Sequence, residues 1–134
     1  MPVHWTISHP ARLVVAVAKD KVSVADIEQY FAGVTADGAM AYAKIFEMTH
    51  SPGALSEDNL KLLGQRVMFY AKHGQIGPLA IVAASDESFA QAQIFAGAAK
   101  ADRPLRIFRE LHAARQWLDE QKGAARQPDP TPGV

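Results

Sequence analysis

The residues of this chain with the types needed for chemistry are Thr49, His50 and Ser51 in one stretch, Ser85 and Asp86 in a second, and Arg109 in a third. Ser51, His50 and Asp86 contain the ingredients of a nucleophile, a base and a carboxylate, and so define one alternative: a small hydrolase or transferase. That chemistry needs the imidazole held between the nucleophile and the carboxylate, beside an oxyanion hole. His50 is instead the direct neighbour of Ser51, and no Gly-x-Ser-x-Gly elbow occurs. The same six residues are better suited to holding a ligand without catalysis. Helices that begin after Ser56 and Ser85 would turn their positive dipole ends toward an anionic group, and Arg109 would pair with a phosphate or carboxylate. The plainer account of these residues is that Ser56, Ser85 and Asp86 cap helices and that Arg109 lies in solvent.

Other chemistries lack support from spacing. His4, His9, His50, His73 and His112 never form a His-x-His or His-x-x-x-His pair, so no metal site is expected. Gly74-Gln75-Ile76-Gly77 precedes a strand and lacks the Lys-Ser or Lys-Thr of a nucleotide loop, so a tight turn is expected there and no cofactor. The 134 residues contain no cysteine, which removes thiolate nucleophiles, disulfides and iron–sulfur ligation together and suits a reducing, cytoplasmic setting. Fourteen basic and fourteen acidic side chains cancel, so no overall field attracts nucleic acid. The apolar run Leu13 to Ala18 is far shorter than the roughly 20 residues of a membrane span. Met1 to Ser8 does not read as a signal peptide.

Positioning the six residues requires an alternation of strands and helices. Val3, Trp5 and Ile7 alternate with polar neighbours, and Leu13-Val14-Val15-Ala16-Val17-Ala18 follows after a short turn, which predicts an antiparallel hairpin. Ser23 and Asp26 frame a helix start, predicting a helix from Val24 to about Ala32 that stops at Gly33. Tyr42 to Met48 reads as a third strand. Ser56 caps a helix with the stripe Leu60, Leu63, Val67 and Tyr70, closed by His73 and a C-cap Gly74. Leu79 to Ala84 is apolar throughout, the pattern of a central strand. A helix from Asp86 to about Ala101 is expected to turn Phe89, Ala92, Ala96 and Ala99 inward with Gly97 beside them, small residues that let the helix lie close on the sheet. Leu105 to Phe108 and the helical pattern through Leu111, Ala114, Trp117 and Leu118 complete the order.

The result is a β-β-α-β-α-β-α-β-α chain: an α/β fold with a mixed, mainly parallel sheet of five strands and four helices. The domain is expected over residues 1–122, with 123–134 a disordered Pro-rich tail. The N-terminal strand, at a sheet edge, is a candidate for pairing across a homodimer. Phe46, Met48, Tyr70, Phe89 and Phe95 are candidates to line an apolar pocket between helices and sheet, or simply to fill the core.

This order, closed by Arg106-Ile107-Phe108-Arg109-Glu110-Leu111-His112-Ala113-Ala114-Arg115-Gln116-Trp117-Leu118, resembles the STAS-like, or SpoIIAA-like, bacterial proteins, relatives of the anti-sigma-factor antagonists. The resemblance implies a non-enzymatic regulatory module with no required cofactor, acting by protein contact, as a phospho-switch, or by binding a small apolar or anionic ligand. In the antagonists a phosphorylatable Ser lies in an Asp-Ser-x-Gly pattern after the third strand. Here Ser51 and Gly53 hold the Ser and Gly places, while His50 stands where the Asp would and Pro52 follows the Ser.

Overall fold

The computed structural model describes residues 3–50, 55–99 and 103–126, with side chains left out of the description at 49–50 and 122–126. Strand β1 (Val3–Ser8) alternates as its sequence requires, burying Val3 while His4, Thr6 and Ser8 face solvent. A turn closed by Arg12 N–H donating to the His9 carbonyl (3.2 Å), with Arg12 at φ 52°, returns the chain into β2 (Leu13–Lys19). The hairpin is antiparallel, from Val3 opposite Ala18 to Ser8 opposite Leu13.

Helix α1 (Val24–Ala36) starts at a reciprocal capping box: Ser23 Oγ accepts from the Asp26 N–H, and the Asp26 carboxylate accepts from the Ser23 N–H. It runs past Gly33, where a stop was expected. Gly33 is needed there for space, because a Cβ would lie 2.4 Å from the Trp5 ring. The chain leaves the helix at Asp37 and Gly38 instead, Gly38 taking the left-handed φ of 67° that costs glycine little.

Strand β3 (Ala43–His50) leads to α2 (Glu57–His73), capped by Ser56 and bearing acids in its first turn and Lys72 and His73 in its last, as the helix dipole favours. Gly74 is the C-cap, as expected, with an extended backbone at φ 170°. Strand β4 (Leu79–Val82) has all four residues buried, consistent with cover on both faces. Helix α3 (Asp86–Ala98), β5 (Leu105–Phe108) and α4 (Leu111–Arg126) complete the chain, α4 continuing as helix beyond residue 122.

The five strands form one mixed sheet in the order β1-β2-β3-β4-β5, β1 antiparallel to β2 and the remaining neighbours parallel. Each crossover advances one strand in the same direction, so α1, α2 and α3 share one face and α4 covers the other. Ala43, Ile45, Ala80 and Val82 pack against Ala114 and Leu118 on the α4 side. On the opposite side Val14, Ala16 and Ala18 meet Ile27, Phe31 and Val34. None of the helices among the described residues is long and apolar enough to cross a membrane.

Helix α2 is fixed in place by a close crossing. Gly64 brings it against α3 so closely that a Cβ there would meet Ala98 Cβ at 2.5 Å and Ala98 C at 2.8 Å. Of the small residues on α3, Ala92 is buried against Leu79 and Ile81 of the sheet, whereas Gly97 has open space around it. Helix α2 lies beside α3 and α1, and its Leu60, Leu63 and Val67 face Phe46, Leu79 and Ile81 of the sheet across a void.

Candidate functional site

Beneath α2 lies a cavity of about 90 Å³. Leu60, Leu63 and Val67 form its roof, Phe46, Leu79 and Ile81 its floor, and Phe31 and Phe95 two of its walls, so nearly all of its surface is apolar. Alternation along β3 explains how one cation enters this setting. Lys44, Phe46 and Met48 share the helix-covered face, whereas Ala43 and Ile45 face α4. The Lys44 side chain is therefore buried, at 5% exposure.

Lys44 Nζ donates to the carbonyls of Met40 and Tyr42, the latter at 2.8 Å, leaving one of three donors over. Burial, reinforced by the charge of Arg103, pushes its pKa down to about 7. Arg103, in the approach to β5, also lines the cavity; its Nη1 donates to the Gly77 carbonyl at 3.3 Å, and burial lowers its pKa to about 10. Tyr30 reaches the same region from α1, 4% exposed, wedged edge-on between Trp5 and Phe46 with centroid distances of 5.6 Å to each. Burial holds its phenol above the ordinary value, and Arg103 opposes that rise. Two polar atoms at this end, Tyr30 Oη and Arg103 Nε, are buried without a hydrogen-bond partner. Native interiors rarely tolerate such groups unless something else satisfies them.

The site expected from sequence is arranged differently. Ser85 caps α3, accepting from the Ser88 N–H at 3.0 Å. Asp86 pairs with Arg109 at 3.0 Å, and Arg109 also donates to the Ala84 carbonyl at 3.1 Å and lies 4.2 Å from the Phe89 ring centre. These three residues do converge on the edge where the parallel strands end. There the guanidinium engages its own neighbours, tying the start of α3 to the end of β5. Thr49 and His50 end β3, but their side chains, like all of Ser51, lie outside the described residues.

Among the pocket candidates, Phe46, Met48 and Phe95 line the cavity. Tyr70 packs instead edge-on against Phe31 at 5.8 Å, and Phe89 sits under Arg109. Gly77 is not a simple tight turn: a Cβ would meet the Tyr42 carbonyl oxygen at 2.2 Å, so glycine lets this loop abut the backbone that also receives Lys44. Among the described residues no group of three His, Asp or Glu side chains is placed to hold a metal ion. Sequence reasoning passed over Lys44, Arg103 and Tyr30. The available signal was the parity of β3, which puts a lysine on the same face as Phe46 and Met48. Compared with protein-family models, curated proteins and solved structures, the chain has no significant match.

Proposed function

We propose that this chain is a non-enzymatic binding module of STAS-like type, cytoplasmic, whose cavity under α2 takes a small, largely apolar organic ligand. The observation that carries the reading is the cavity itself, with apolar walls contributed by three helices and the sheet. Pockets of this composition, with few polar groups at one end, are the usual form of small-molecule sites. The STAS-like assignment is supported by the β-β-α-β-α-β-α-β-α order and by the closing segment Arg106 to Leu118. The alternative of a hydrolase or transferase draws no support from Asp86, whose carboxylate is paired with Arg109.

Native mass spectrometry of the protein purified from its own host tests the reading. A small organic adduct that disappears when the cavity is filled by Leu63→Phe is the expected result. Bare protein, together with failure of the parent to take up xenon under pressure, would overturn it.

A further inference from the structure

We infer that the ligand of this cavity is a short-chain carboxylic acid, bound as its anion with the carboxylate between Arg103 and Tyr30 and the chain against Phe46, Leu63 and Phe95. The inference rests on the cavity being a ligand site and names the chemistry that site selects. Three observations point to an anion. Two basic side chains, Lys44 and Arg103, line one apolar void, and no described carboxylate pairs with either. Uncompensated charge in such a medium is costly, and an anionic group relieves it. Arg103 Nε and Tyr30 Oη are both buried donors without acceptors, on two side chains that line the same space. A carboxylate offers the two oxygens that two such donors need. A phosphate dianion would bring more oxygens than this end has donors and a larger charge to desolvate.

Volume sets the length of the chain. A void of roughly 150 Å³ holds benzene, with its six non-hydrogen atoms, so one of about 90 Å³ accepts a smaller molecule, an aliphatic acid of about two or three carbons. Lys44 adds a pH dependence. The charged or titratable groups facing it across the cavity are Tyr30 from α1 and Arg103 ahead of β5; α3 offers the neutral Gln91, and α2 offers apolar side chains. A bound anion favours the ammonium form of Lys44, so affinity is greatest below about pH 7 and declines as the free protein's Lys44 loses its proton above that value.

The test is titration calorimetry on the full chain with propionate, octanoate and 1-propanol, at pH 6 and pH 9, accompanied by xenon uptake. Propionate should bind at least about tenfold more tightly than 1-propanol at pH 6, and Tyr30→Phe should cost propionate about tenfold while leaving 1-propanol unchanged. Octanoate should bind more weakly than propionate, and raising the pH to 9 should weaken propionate while leaving 1-propanol unchanged. Tyr30→Phe removes one oxygen atom, and a thermal melt confirms its fold. Arg103→Gln, which keeps a donor for Gly77 while removing the charge, should weaken propionate as well. Equal affinity for propionate and 1-propanol, or propionate binding indifferent to Tyr30→Phe, would overturn the carboxylate assignment while leaving the small-ligand reading intact. Xenon uptake with neither organic ligand bound has the same meaning. A protein that takes up none of the three organic ligands and no xenon would overturn both.

Discussion

Replacing Lys44 by Met should change stability in opposite directions at low and high pH. Methionine matches the lysine stem in bulk and flexibility, so packing against Phe46 and Leu79 is largely kept. In the folded, ligand-free protein the amine has a pKa of about 7 against 10.5 for a solvated lysine. At 1.36 kcal/mol per tenfold change, holding the protonated amine inside costs the fold about 5 kcal/mol. Because the folded value is the depressed one, this penalty is fully present below pH 7, where the amine is charged in both states. It shrinks as pH rises from 7 to 10.5 and vanishes above, where the amine is neutral in both.

Removing the amine also removes its hydrogen bonds. The Met40 carbonyl keeps a bond from the Gly77 N–H at 2.9 Å, but the Tyr42 carbonyl loses its donor. That loss costs about 1–3 kcal/mol at any pH. The balance is a gain of about 2–4 kcal/mol for Lys44→Met at pH 6 and a loss of about 1 kcal/mol at pH 10, with the sign changing near pH 9. Urea unfolding of parent and variant at pH 6, 8 and 10, without added ligand, measures this directly. A variant less stable than its parent at pH 6, or a difference that does not vary with pH, would refute the argument that an uncompensated amine is buried here.

Two further substitutions probe the scaffold. Gly64→Ala should destabilise by about 1–2 kcal/mol, since its methyl would overlap Ala98. Gly97→Ala, in open space on α3, should stabilise by about 0.5–1 kcal/mol, and denaturant midpoints of the pair check that α2 meets α3 at Gly64. Ser23→Ala should cost about 1 kcal/mol in thermal melts through loss of the capping box. The Ser23 N–H and hydroxyl hold the Asp26 carboxyl below its ordinary value, so the parent's advantage is present above about pH 4 and fades as pH falls through that lowered value.

Local pattern and global packing divide the account between them. Alternation in Val3 to Ile7, the apolar run of Leu79 to Val82, and the caps at Ser23, Ser56 and Ser85 are short-range features, and each element they announce is present. Residue types near the strand ends likewise suggested an edge rich in polar groups. They did not reveal that Arg109 would be engaged by Asp86 and the Ala84 carbonyl, because that depends on how β5 lies beside β4. Helix α1 outruns its local pattern for a related reason. A glycine in a helical pattern reads as a stop, but Gly33 answers to the ring of Trp5, a residue on another element.

By itself, then, the sequence determined the order of elements, the helix starts and the absence of any cysteine chemistry, all consequences of composition and of neighbours a few residues apart. Only the tertiary structure decided that α2 rests on α3 through Gly64, that a void opens beneath it, and that Lys44, Arg103 and Tyr30 meet at its end. Those three residues are far apart in the chain, and each looks ordinary alone. Burial and the lack of hydrogen-bond partners are properties of the packed assembly, so no local pattern could display them.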